Sequence, residues 1–165
     1  MATKINWELL LASILIISTV VLTAVAFFRW VNLGFSIGPY RFTHWVSWIG
    51  AIYIALAVPL IAIFKRRTPL KIKALLRIHV YGNLLAFMLI TIHFASQVSR
   101  SPLPDLGTGL ALYVVVLFLV ATGFLQRFRI VPSIKPQINR FIHANVALSF
   151  YLIIGIHILH GVGII

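Results

Sequence analysis

His79-Val-Tyr-Gly-Asn-Leu-Leu-Ala-Phe-Met-Leu-Ile-Thr-Ile-His93 and His143-Ala-Asn-Val-Ala-Leu-Ser-Phe-Tyr-Leu-Ile-Ile-Gly-Ile-His157 share one layout. In each, two histidines 14 positions apart bracket a run that is otherwise almost wholly apolar. On an α-helix that spacing is close to four turns, so both rings face about the same way, about 21 Å apart along the axis. A hydrocarbon core is about 30 Å thick. Each stretch is therefore expected to be a membrane helix with one imidazole near each face. Two such helices side by side, pointing the same way, would set the imidazoles in two opposed pairs.

Composition supports the membrane setting. Of 165 residues, 61% are hydrophobic and only 10% charged, against about 25% charged in a typical soluble domain. The apolar residues fall in long blocks, as membrane spans require. Cysteine is absent, which excludes disulfides, iron–sulfur clusters, thiolate-ligated haem and thioether-attached haem within this chain. The 14 Lys and Arg face two acids, Glu8 and Asp105. Such a balance can signal nucleic acid, but here the basic residues lie between apolar spans and read as orienting loop charges. No nucleic-acid partner is expected.

Five spans are expected, at about 9–28, 42–64, 74–98, 106–126 and 141–165, forming one integral membrane domain over 1–165. Leu9 to Phe28 carries no charge. Lys4 before it and Ala24-Val25-Ala26 within it imitate a signal peptide, but the apolar run exceeds a signal core and reads as a span. Arg29 to Arg41, with Gly34, Gly38 and Pro39, reads as a loop. The second span opens with His44, Trp45 and Trp48, suited to an interfacial aromatic belt, and contains Pro59, which is expected to kink it. Pro102 and Pro104 mark the loop before the fourth span, and Pro132 and Pro136 the loop before the fifth. The fourth span has no ionisable residue, and its Gly107, Gly109, Ala111, Ala121 and Gly123 suit close helix packing.

Charge orients the chain. Lys4, the six basic residues Lys65, Arg66, Arg67, Lys71, Lys73 and Arg77, and the four at Arg127, Arg129, Lys135 and Arg140 fall on one side, eleven in all. Arg29, Arg41 and Arg100 fall on the other. The positive-inside rule then places the N-terminus inside and the C-terminus outside a cytoplasmic-type membrane. Spans three and five run in the same sense, so the expected pairs are His79 with His143 at the inner face and His93 with His157 at the outer.

Intramembrane histidines are costly and default to functional readings. Two opposed imidazoles are what a six-coordinate haem iron needs, so the expected fold is an all-α membrane protein whose five-helix bundle holds two b-type haems between helices three and five. Zinc fits poorly, because it gathers four ligands at one point. The two H-x13-H helices separated by one further span resemble the diheme cytochrome b core. That core occurs in ferric reductase-like transmembrane domains, including the NADPH oxidase type, and in cytochrome b of the quinol-oxidising bc complexes. The resemblance covers Ala74 to Ile165, and two spans before the first histidine helix are closer to the ferric reductase-like layout. It implies two heme b groups stacked across the membrane, passing electrons between its faces.

The chain departs from both families. It has no Pro-Glu-Trp-type motif, so the bc-complex quinol oxidation site is not carried over. It has no G-x-G-x-x-G, and no flavin or nicotinamide domain follows span five, so the NADPH oxidase reaction is not expected of this polypeptide alone. A sixth span found in many ferric reductase-like domains is also missing. Gly82 and Gly155 are read either as places where a porphyrin approaches the backbone or as helix-packing glycines. Arg77 and Arg140 are read as partners of haem propionates or as loop charges, with Arg41 and Arg100 as outer counterparts. His44 and His160 are read as interfacial residues without a role, as a quinone or proton-exchange site, or as ligands of an extra haem or metal. The leading expectation is the haem-carrying membrane subunit of a respiratory redox complex, exchanging electrons with a quinone and with other subunits. The alternatives are a stand-alone ferric reductase-like oxidoreductase serving an outer acceptor, and a non-redox membrane anchor.

Overall fold

The computed structural model describes residues 6–67, 72–103, 106–131 and 133–164, and within 6–67 it leaves out the side chains of 65 and 66. Lys4, Lys71, Pro104, Asp105 and Pro132 lie outside the described residues, as do the side chains of Lys65 and Arg66. The helices are α1 (Trp7–Phe27), α2 (Phe42–Arg67), α3 (Ile72–Val98), α4 (Gly107–Phe128) and α5 (Pro136–Gly161). All five are long and apolar enough to cross a membrane. The protein is an all-α integral membrane protein, as its uncharged runs require: in lipid, each backbone polar group must be satisfied within its own helix. Large apolar side chains lie bare along the helices, with Ile17, Leu148 and Leu152 at 62%, 69% and 68% exposure. Lipid is the solvent that makes such surfaces stable.

The chain forms two compact units, the first ending at Arg100 and the second beginning at Ser101. In the first, α3 packs against both α1 and α2. Arg77 Nε donates to Glu8 Oε1 at 2.9 Å near the starts of α3 and α1. Arg29 Nη2 donates to the Ser99 carbonyl at their far ends. The helices α1 and α3 therefore run parallel. The turn of α2 brings Gly50 against Ala86, where an added Cβ would lie 2.8 Å from the Ala86 carbonyl oxygen. In the second unit α4 packs against α5, with Leu112, Val116, Phe150 and Ile154 buried.

Local chemistry sets the helix ends. Asn6 caps α1 by accepting from the Leu9 amide at 3.2 Å, and Glu8 in the first turn suits the positive end of the helix. The segment read as a loop contains a short antiparallel ladder, β1 (Ser36–Ile37) with β2 (Tyr40–Arg41). Gly38, at φ 61°, supplies the left-handed residue that a two-residue hairpin turn requires. The helix α2 continues through Pro59. The helix α5 starts at Pro136, earlier than the apolar run alone indicates. Proline at the first helical position forfeits no hydrogen bond, and the helix ends at Gly161 rather than running on to 165.

Candidate functional site

The clearest arrangement lies in the second unit. The two histidines of α5 meet two threonines of α4. Thr122 Oγ1 is 2.9 Å from His143 Nδ1, and Thr108 Oγ1 is 3.0 Å from His157 Nδ1. The threonines are 14 positions apart, the same interval as the histidines, so two antiparallel helices in register bring both pairs together. A glycine follows each threonine. A Cβ at Gly123 would lie 3.3 Å from His143 Cε1, and one at Gly109 would lie 3.4 Å from His157 Cε1. Each imidazole therefore rests its edge on bare α4 backbone, and a larger side chain would push it away.

The contacts of Thr122 favour one hydrogen-bond direction at His143. A threonine hydroxyl has one proton and two lone pairs. Thr122 donates to the Phe118 carbonyl at 2.7 Å, with the Leu119 carbonyl at 3.2 Å sharing that proton. With its proton on the Phe118 carbonyl, Thr122 faces His143 as an acceptor, an arrangement that puts the imidazole proton on Nδ1. Nε2 then holds a lone pair, the state a metal ligand needs. Asn139 steadies the same residue by donating from Nδ2 to the Thr122 carbonyl at 2.9 Å.

The first unit treats its histidines differently. Asn83, one turn after His79, places Nδ2 3.2 Å from His79 Nδ1. An amide nitrogen only donates, so this contact puts the ring proton on Nε2; a half-turn of the carboxamide presents the oxygen and reverses the assignment. The His93 ring meets His44 of α2 edge to face, with centroids 4.7 Å apart. Tyr40 and His44 lie near each other at 6.4 Å, and Tyr40 also contacts Trp45 and Trp48. The belt residues expected at the start of α2 thus form one aromatic group that reaches His93.

The remaining residues singled out in the sequence separate. The space above Gly82 is filled by the Tyr53 phenol, whose hydroxyl donates to the Ile78 carbonyl at 2.7 Å. The glycine thus admits the Tyr53 ring of α2 against α3. Gly155 has no described atom within 4 Å of an added Cβ. Arg77 is held by Glu8, and Tyr81 donates to the Glu8 carbonyl at 3.2 Å. Arg140 and His160 are exposed, whereas His79, His93, His143 and His157 are each half-buried. Among the described residues no three or more metal-ligating side chains cluster; ligation by two imidazoles per iron does not require one.

Thr108 and Thr122 escaped the sequence reading, in which the fourth span had only a packing role. Their signal was present as the Thr-Gly pair repeated at the histidine interval. Asn83 and Gln97 repeat it once more, each four residues after a histidine of α3. No family model, curated protein or solved structure matches this chain.

Proposed function

We propose that this protein carries electrons across a membrane through two b-type haems, one ligated by His79 and His143 and the other by His93 and His157. The observation that carries the reading is the paired support of α5. At both histidines a threonine engages Nδ1 and a glycine clears room for the ring, at the interval that separates two haem levels. Polar packing alone needs neither the repeat nor, at His143, a proton fixed on Nδ1. When bound, each haem supplies a six-coordinate iron that exchanges single electrons and leaves no open position for oxygen.

The chain's own part is to orient and insulate. Thr122 holds the His143 ring with its Nδ1 proton engaged, which raises ligand basicity. The apolar faces of α3 and α5 keep water from the ligands. The basic segments between spans suit docking of a redox partner, and the His44 and Tyr40 group beside His93 suits proton exchange with a quinone at the outer level. The proposed role is thus the membrane subunit of a redox complex.

A reduced-minus-oxidised spectrum with a haem-to-protein ratio tests this on the purified full chain. Two low-spin haems per chain, each lost with its own histidine pair, are expected. A folded protein with no Soret band after haem is supplied would favour a membrane anchor and refute the reading. Full turnover with ferric iron in vesicles, without quinone or partner, would favour the stand-alone reductase.

A further inference from the structure

The three arginines expected on the sparsely charged side come together in the first unit. Arg29, Arg41 and Arg100 line one cavity of about 270 Å³, with Asn32, Ser96 and Ser99 adding polar atoms. Their mutual presence is felt: burial, and then the charges of Arg41 and Arg29, lower the Arg100 pKa from its ordinary value. A guanidinium is a permanent charge in proteins. Like charges gathered in one recess repel, and among the described residues no carboxylate offsets them, since Glu8 is engaged by Arg77 at the opposite helix ends. The ends of α1 and α3 contribute about half a negative charge each and the start of α2 about half a positive one. That leaves the recess strongly positive.

The backbone adds a second observation. Arg29 sits at φ 57°, in the left-handed region where glycine is the unstrained choice. There its guanidinium reaches across to the Ser99 carbonyl, while Arg100 is turned by a 2.7 Å bond to Gln97 Oε1. Phe28 and Trp30 stack beside the recess with centroids 5.8 Å apart and stand 62% and 71% exposed. Aromatic residues of this kind sit at the headgroup level of a bilayer.

We infer that the Arg29, Arg41 and Arg100 recess binds a phosphate group. Arginine forks match phosphate oxygens with paired N–H donors, and the size of the recess suits a headgroup rather than a large organic ligand. A lipid headgroup or free phosphate could supply the same chemistry. The exposed aromatic pair favours the lipid.

The test uses the full chain without added haem, so that its outcome is separate from that of the electron-transfer reading. Bound phosphatidylglycerol is counted by native mass spectrometry, and inorganic phosphate is titrated in lipid-free detergent. Tight retention of phosphatidylglycerol by the wild type is expected, falling at least tenfold in Arg29→Gln/Arg41→Gln/Arg100→Gln, with no such fall in Arg127→Gln/Arg129→Gln/Arg140→Gln. Retention of inorganic phosphate instead, with the same dependence on variants, would support the site and assign it to the free ion. Arg29→Gly guards against misfolding of the triple variant: it relieves the left-handed backbone and should bind more weakly while remaining as stable as wild type. Equal loss in both triple variants would reduce the effect to net charge and overturn the proposal. So would a marked gain of binding in Asp105→Asn, which would show that the chain's own carboxylate is the occupant.

Discussion

Replacing Thr122 by valine isolates what the threonine does for His143. Valine keeps the shape and removes the hydroxyl, at a residue only 8% exposed. Lost with it are the 2.9 Å contact to Nδ1 and the donation shared between the Phe118 carbonyl at 2.7 Å and the Leu119 carbonyl at 3.2 Å. In water-soluble proteins a buried donor left without a partner costs about 1–3 kcal/mol. Side-chain bonds between membrane helices average about 0.6 kcal/mol and reach about 1.7, so the lower range governs stability here. Ligand affinity should move further, because removing the partner of a ligating imidazole costs about 10–100-fold, or about 1.4–2.8 kcal/mol at 1.4 per decade. The assay is titration of haem into the haem-free protein in nanodiscs, following Soret amplitude, with unfolding measured in parallel. Thr122→Val should weaken one of two haem sites by that factor and leave the other intact, and Thr122→Ser should restore it. Asn139→Leu removes the neighbouring bond to the Thr122 carbonyl but leaves Nδ1 engaged, so it should lower stability more than affinity. If Thr122→Val folds and takes up two haems with wild-type affinity, the tautomer argument is wrong.

Changes at three further positions have expected outcomes. Thr108→Val should weaken the other proposed haem site about 10–100-fold, and its effect should add to that of Thr122→Val because His143 and His157 stand about 21 Å apart along α5; titration of the double variant checks this. Gly123→Ala, whose Cβ would meet His143 at 3.3 Å, should weaken the same site slightly, whereas Gly123→Leu should abolish it while the second haem is retained, as read by haem-to-protein ratio. Arg129 closes α4 at φ 51°, so Arg129→Gly should raise stability by about 1 kcal/mol, the cost of a left-handed L-residue, measured as a higher unfolding midpoint with unchanged haem content.

The helices were legible because lipid imposes so blunt a rule: about 20 apolar residues per crossing leave little to local detail. Boundaries were less legible where polar residues belong to a helix. Gln137, Asn139 and Arg140 stop an apolar count, yet Asn139 is buried and bonds to α4. The histidine interval was visible at once, since an ionisable residue stands out in an apolar run. Its counterpart in α4 was hidden because threonine and glycine are ordinary in membrane helices, and only pairing two antiparallel helices reveals that their spacing matches. The arginine recess was invisible for a different reason. Arg29, Arg41 and Arg100 are far apart in sequence and served only as markers of sidedness; it takes the parallel course of α1 and α3 and the hairpin before α2 to gather them.

The two histidine helices also differ in how far they are set in advance. On α5 the partner of His143 is a hydroxyl that also reaches the Phe118 carbonyl at 2.7 Å, which favours the proton on Nδ1 and the lone pair on Nε2. On α3 the partner of His79 is a carboxamide in the same helix, which presents a donor or an acceptor after a half-turn and so accepts either tautomer. In the proposed pairing, His143 would be the preset ligand and His79 the one adjusted by an amide rotation. His93 differs again, for its ring is met edge to face by another imidazole, His44 of α2.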